Sequence, residues 1–230
     1  LLPFLGALLP PLLIRSGRNT CAVATGSVTL LALILLLSHA PEVFSGQVPK
    51  VSLAWAPAVG LSLSVFADGL GFFFAAMILA IGFLVIVYAR YYLSREDPMG
   101  RFFAYLLLFQ GAMVGVVLSD NVILLLVFWE MTSLTSFLLI GFWQKRADAR
   151  QGARMALVVT GGGGLALIGG LLLLAQAAGS YQLTEILARG DIVRASPLYM
   201  PALLLVLVGA FTKSAQFPFH FWLPHAMAAP

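Results

Sequence analysis

Three side chains that can take up or release a proton lie in or beside long apolar stretches of this chain: Glu130, Lys213 and His220. Glu130 is the single formal charge in NVILLLVFWEMTSLTSFLLIGFW, Asn121–Trp143, nine helical steps from its start and thirteen from its end. At a rise of about 1.5 Å per residue, the carboxyl falls near the middle of a bilayer-spanning helix. An ionisable group there is costly unless it is paired, hydrated or protonated. Burial favours the neutral form of a carboxyl and a nearby lysine favours the charged form, so a carboxyl held between the two can bind and release a proton near neutral pH. Thr132, Ser133 and Ser136 fall on the arc adjoining Glu130, and small hydroxyl residues permit close helix packing, bond a carboxylate or hold water. The alternative is a structural glutamate paired with a neighbouring helix.

Lys213 lies in LLLVLVGAFTKSAQFPFHFWLPH, with Gln216 and His220 at +3 and +7. On one continuous helix the three would share a face. Pro218 argues against continuity, because it lacks an amide hydrogen and crowds the carbonyl of Ser214. Non-helical backbone at membrane depth is tolerated only inside protein or beside water. A broken helix near Pro218, next to Lys213 and His220, therefore reads as part of a hydrated path. Its alternative is a proline kink with Lys213 snorkelling to the cytoplasmic surface. Imidazole suits proton relay near neutral pH, and a structural role is the other reading of His220. His225 reads as interfacial and structural. An acid and a base at membrane depth point to movement of protons or cations.

These residues need a membrane-embedded scaffold, and the composition supplies one. Of 230 residues, 61% are hydrophobic and 10% charged, with mean hydropathy +1.00, too little charge to cover a soluble domain. The fold class is an all-α integral membrane protein, a polytopic helical bundle of about seven spanning segments. These are about Leu1–Ile14, Asn19–His39, Asp68–Tyr92, Phe102–Leu118, Asn121–Trp143, Ala153–Ala178 and Leu198–Phe217. The first is short, begins without Met and lacks a signal-peptide cleavage pattern, so it reads as a helix missing its N-terminus. The chain stops at Pro230, just past a helix-breaking region, and reads as a fragment.

The linker Ala40–Ala67 carries Pro41, Gly46, Pro49 and Pro57, and its VSLAW and LSLSVF pieces alternate as in a short extracytoplasmic hairpin. In Gln182–Ser196, Leu183, Ile186 and Leu187 stand against Thr184, Glu185 and Arg189, the pattern of a short amphipathic surface helix. With the N-terminus outside, the inner loops hold nine basic residues: Arg15, Arg18, Arg90, Arg95, Arg101, Lys145, Arg146, Arg150 and Arg154. The outer loops hold three, Lys50, Arg189 and Arg194, which satisfies the positive-inside rule. The net charge of +4 thus reports topology, not a nucleic-acid partner.

Asp68 and Asp120 read as helix-start residues, and lone Cys21 as a small packing residue. The run Gly161–Gly164 is not followed by Lys-Ser/Thr, so it serves close packing or a flexible segment, not phosphate. Gly111 and Gly115 form a GxxxG. There is no Walker motif, CxxC, HExxH or G-x-S-x-G elbow, and no recognisable ligand set for haem, flavin or an iron–sulfur cluster. No cofactor or metal is expected.

LLVFWEMTSLTSFLLIGFW and FTKSAQFPFHFWLPHAMAAP resemble the antiporter-like membrane subunits shared by respiratory complex I and the multisubunit Mrp-type Na+/H+ antiporters. The pattern K-S-A-Q-x-P-x-x-x-W-L-P-x-A-M runs from Lys213 to Met227, and ADGLGFFFAAMILAIGFLVIVYARYYL with DPMGRFF extends the likeness over nearly the whole chain. Within this superfamily FWEMTSLTSFLLIGFW, YARYYL and FPFHFWLPHAM resemble the A-type subunits of Mrp antiporters. Complex I relatives usually carry a glycine-rich WEGVGLCSYLLIGF-like segment and no histidine matching His220. The resemblance implies inverted repeats with broken helices and a plasma-membrane, multi-pass location. It implies other subunits of an antiporter complex as partners, with protons and Na+ as the transported ions. It implies a proton path in which Glu130 and Lys213 form a charged pair and His220 contributes to transfer. Residues 1–230 would be the N-terminal part of this proton-translocating domain, without the later half that carries further lysines and histidines. His225 stands where relatives usually carry Asp or Asn. A redox-driven pumping subunit of complex I or a membrane hydrogenase is the rival reading, and a helical scaffold with structural ion pairs is a second.

Overall fold

The computed structural model describes residues 1–56, 58 and 60–230, so the expected break at Pro57 lies outside the described residues. The chain divides into two compact units. One comprises Leu1–Pro49, Phe66–Leu118 and Pro230; the other comprises Lys50–Val65 and Ser119–Ala229. Five helical segments are long and apolar enough to cross a membrane: Arg18–Phe44, Gly69–Tyr92, Met99–Leu118, Val122–Ile140 and Ala147–Ala178. Two shorter apolar segments, Leu2–Ser16 and Tyr199–Lys213, stand at the remaining expected spans.

In the first unit, the segment expected as one helix is two short ones, α1 (Leu2–Gly6) and α2 (Leu9–Leu13), followed by a 3-10 turn. Pro10 and Pro11 have no amide hydrogen to give the carbonyls of Gly6 and Ala7, so the helix divides there. Next come α3 (Arg18–Leu37), α4 (Ala40–Phe44), α5 (Gly69–Tyr92) and α6 (Met99–Leu118). Asp68 caps α5 as expected, accepting from the Gly71 amide at 2.7 Å. Helix α5 packs on α3 and α6, and α1 and α2 pack on α6 and α3. Buried Gln110 ties three helices together: its Oε1 accepts from Thr29 at 3.1 Å and its Nε2 reaches the Ile78 carbonyl at 3.5 Å. Cys21 is fully buried, in keeping with a packing role.

The second unit begins with the expected hairpin, β1 (Lys50–Ala56) and β2 (Leu61–Phe66). Its helices are α7 (Val122–Ile140), α8 (Ala147–Ala178), α9 (Leu183–Ala188), α10 (Gly190–Ala195), α11 (Tyr199–Lys213) and α12 (Trp222–Ala226). Helix α8 is the central element, packed against α7, α11 and α12. It starts at Ala147, six residues before the expected span, because Asp148 suits a helix N-terminus and bonds Arg146. The single amphipathic helix expected over Gln182–Ser196 is two short helices. Ile186 and Val193 join the apolar core with Val122, Leu126, Leu167 and Leu171, whereas Leu187 is exposed.

Asp120 is not the cap of α7. Asn121 fills that position, accepting from the amides of Ile123 and Leu124 at 3.0 and 3.1 Å. Asp120 instead clasps the hairpin to the start of α9. Its carboxylate pairs with Lys50 and accepts from the Thr184 amide at 2.9 Å and from Ser64 at 3.4 Å. Backbone bonds from Asp120 to Ser64 (2.9 Å) and from Val122 to Tyr181 (2.9 Å) continue the same link. Burial opposes the Asp120 charge, but the hydrogen bonds from Lys50 and Thr184 outweigh it and hold the carboxyl below its usual range. A carboxyl lowered on folding stabilises the fold above its unfolded value, about 4, and loses that contribution as pH falls through its lower folded value. Asp120→Asn should therefore destabilise the full-length protein at pH 7 by about 2 kcal/mol, because Lys50 loses its buried partner. Thermal unfolding of both proteins should show the gap narrowing below about pH 4; a gap independent of pH would contradict the clasp.

Candidate functional site

Glu130 lies eight residues from the first residue of α7 and ten from its last. One carboxylate oxygen, Oε1, is buried and has no hydrogen-bond partner among the described residues. The carboxyl lies so close to Gly164 of α8 that a Cβ there would collide with Oε1. The expected hydroxyls do not hold the carboxylate. Thr132 donates to the Trp129 carbonyl at 2.6 Å and Ser136 to the Ser133 carbonyl at 3.0 Å. Both are turned back on their own helix, a common outcome for hydroxyls inside apolar helices.

Lys213 is the last residue of α11, and it does not snorkel away. Its half-buried side chain donates to the Ser133 hydroxyl at 2.9 Å, and its ammonium lies 5.5 Å from the centre of the Trp129 ring. Ser133 is three residues past Glu130 and so on the neighbouring part of the same helix face. The charges of Glu130 and Lys213 interact electrostatically. Among the described residues, however, no direct ion pair joins them. The ammonium is solvated by a hydroxyl and an aromatic face, which leaves the carboxylate electrostatically supported but not locked.

The expected break falls after Lys213, five residues before Pro218. The helix ends in a left-handed cap. Ala215 has φ 52°, the Gln216 amide donates to the Phe211 carbonyl at 2.9 Å, and the Ala215 amide donates to Thr212 at 3.4 Å. This is the geometry that usually carries glycine at the Ala215 position. The Trp222 indole also donates to the Thr212 carbonyl, at 2.9 Å. Fifteen residues of α11 span about 22 Å, short of the roughly 30 Å hydrocarbon core. His220 sits in the 3-10 turn Phe219–Phe221 beyond the break, exposed and stacked on Phe217 with ring centres 5.8 Å apart. The geometry thus gathers Glu130 and Lys213 and leaves His220 outside their hydrogen-bonded cluster. His225 is also exposed; its carbonyl crowds Gly152 of α8.

Two participants carry no mark in the sequence. Trp129 flanks both charged residues, and its indole nitrogen, buried and without a partner among the described residues, is a second polar atom able to hold water. Gly164 reads from sequence as one of a glycine run, with nothing to assign it to Glu130. Within that run Gly163 meets Thr212 and Gly164 meets Glu130, while Gly161 and Gly162 meet nothing within 4 Å. Among the described residues no group of three His, Cys, Asp or Glu side chains is placed to hold a metal ion.

The chain is similar to known membrane subunits. Residues 119–230 match a family described as NADH:quinone oxidoreductase/Mrp antiporter, TM. Residues 55–103 match NADH-ubiquinone oxidoreductase (complex I), chain 5 N-terminus. The chain is 52% identical over 230 residues to the A/B subunit of a probable K(+)/H(+) antiporter of Rhizobium meliloti, an alignment covering 100% of this chain and 23% of that protein. It is 45% identical over 233 residues to the A subunit of the Na(+)/H(+) antiporter of Alkalihalophilus pseudofirmus, covering 99% and 29%. A solved Mrp complex from Dietzia sp. superposes with TM-score 0.86 at 35% identity, covering 100% of this chain and 25% of that one. The chain therefore spans about a quarter of the length of these relatives.

The glycine contacts can be tested without reference to activity. Gly164→Ala forces a methyl into the space of the Glu130 carboxyl, and overpacking of this kind costs about 1–3 kcal/mol. Gly161→Ala, with open space around it, should be neutral or slightly stabilising. Thermal unfolding of the full-length protein in detergent checks the pair; equal effects at the two glycines would contradict the Glu130–Gly164 contact.

Proposed function

We propose that this chain, two stretches of which match the NADH:quinone oxidoreductase/Mrp antiporter and complex I chain 5 families, is part of the A subunit of a multisubunit Mrp-type antiporter. That complex couples inward proton movement to export of a monovalent cation, Na+, across the plasma membrane, with other subunits completing the path. It is a secondary transporter, not an enzyme. The supporting observation is a mid-helix carboxyl with a buried, partnerless oxygen, influenced by a lysine that is near but not bonded to it.

In this reading Glu130 is the proton-binding acid. Lys213 adjusts its proton affinity: near the carboxylate it favours the ionised form, and drawn toward Ser133 it lets the carboxyl take up a proton. His220 extends the path past the helix break through water. The family match also covers redox-driven pumps, so a pumping subunit of a respiratory complex is the second reading. One relative is named for K(+) and another for Na(+), so the cation has to be tested with both ions.

The test is proton movement driven by Na+ or K+ gradients in inverted vesicles, using the full-length protein with its partner subunits and no electron-transfer substrate. Wild type should exchange protons for cations. Glu130→Gln should fall to background at matched complex abundance, and His220→Ala should retain more activity than Glu130→Gln. Exchange surviving in Glu130→Gln would remove that residue from the path. Pumping only when a redox substrate is supplied would support the respiratory reading, and loss of complex abundance alone would indicate a structural role for Glu130.

A further inference from the structure

We propose that the first unit holds the headgroup of an anionic phospholipid in a pocket between the start of α3 and the end of α5. The pocket has a volume of about 720 Å³ and is lined in part by Gly17, Arg18, Asn19, Arg90, Tyr91 and Arg95. Three arginines line it and no carboxylate does; the acids nearest in sequence, Glu96 and Asp97, follow Arg95, and Asp97 is engaged with the Ser94 amide at 2.9 Å.

Each arginine has a different commitment. Arg18 donates to the carbonyls of Ser94 and Leu93, both at 2.7 Å, and so closes the end of α5, while its buried Nε has no partner. Arg90 donates through Nε to Asn19 at 2.6 Å and lies 5.5 Å from the Tyr91 ring centre. Its terminal nitrogens bond nothing else among the described residues. Arg95 is exposed and makes no hydrogen bond or ion pair among the described residues. The pocket therefore offers positive charge beyond what the fold consumes. A helix start adds to it: α3 begins at Arg18 with no side-chain cap, and Arg18, Asn19 and Thr20 of its first turn all line the pocket. First-turn amides and arginine forks both suit the oxygens of a phosphate.

Its setting favours a lipid as the source of that phosphate. The nine-to-three distribution of basic residues puts this end of α3 and α5 on the cytoplasmic side, where basic pockets between membrane helices bind anionic headgroups. Tyr88, Tyr91 and Tyr92, at 63%, 82% and 50% exposure, form the kind of aromatic belt that sits at headgroup depth. Further along the same helices Val23, Ile34, Ile81 and Leu84 are exposed apolar side chains, able to lie along acyl chains. A soluble phosphate would use the arginines but gain nothing from this flank.

The test places a photoreactive benzophenone amino acid at Tyr91 of the full-length protein, in its assembled complex, in vesicles of equal parts phosphatidylglycerol and phosphatidylcholine. Mass spectrometry counts the lipid attached to the Tyr91 peptide. Phosphatidylglycerol should be favoured, and the preference should drop by about fivefold with Arg95→Gln and approach parity with Arg90→Gln and Arg95→Gln together. Lysine at both positions should restore it. If the double variant does not assemble, Arg95→Gln alone decides, since Arg95 has no partner among the described residues. Parity of the two lipids without the arginine changes, a preference that survives them, or attachment to a neighbouring protein of the complex would overturn the proposal. So would loss of the preference on adding millimolar inorganic phosphate at matched ionic strength, which would mark a soluble-anion site.

Discussion

The absence of a side chain at one position of α8 makes room for the carboxyl of Glu130. Gly164 lets the acid of α7 lie against the backbone of α8, and neighbouring small residues let α11 approach α8 as closely. A Cβ added at Gly209 would stand 3.0 Å from the Gly163 carbonyl, and one added at Gly170 would stand 2.9 Å from the Ala202 carbonyl. Lipid gives helices no hydrophobic reason to associate, so such backbone-to-backbone contacts carry much of the packing. With α7 and α11 both drawn onto α8, Lys213 reaches across to Ser133 without lying in the way of Glu130. The geometry of the charged residues is therefore a by-product of how closely three helices can pack.

The end of α11 follows from a second constraint. In a membrane each freed carbonyl needs a donor from within the protein or from trapped water. The Gln216 amide serves Phe211, and the Trp222 indole serves Thr212, so the helix can stop short of a full crossing. It stops with Lys213 in its last turn, where the negative end of the helix dipole favours a cation. The same termination costs Ala215 a left-handed backbone, a conformation that disfavours a side chain by roughly 1–2 kcal/mol.

Much of this is legible in the sequence because charge inside an apolar run is a strong signal. Glu130 and Lys213 stand out for that reason, and the hairpin and the Asp68 cap are readable from alternation and local capping chemistry. What is not legible depends on partners distant in the chain or on backbone conformation. Asp120 has the composition of a cap, and only its meeting with Lys50 and Thr184 makes it a clasp. Pro218 makes a break expected, but the left-handed alanine at which the helix ends leaves no compositional mark of the kind that glycine would. Once α11 ends at Lys213, the +7 spacing of His220 no longer implies a shared face. Nothing local distinguishes Gly164 from Gly161; α7 does that from 34 residues earlier in the chain.

The clasp at Asp120 also bears on how the protein is made. Its second unit is interrupted in sequence by Phe66–Leu118, which belong to the first, and Lys50 precedes Thr184 by 134 positions. At roughly 5–20 residues per second of synthesis, the hairpin emerges on the order of ten seconds before its last partner exists. During that interval α5, α6, α7 and α8 are made while β1 and β2 wait with unpaired edges. The lysine at the start of β1 suits that wait, since a charge on an edge discourages pairing with a stray strand. The hairpin is thus built early and secured late, and the second unit closes only once Thr184 has been made, long after the intervening residues Phe66–Leu118.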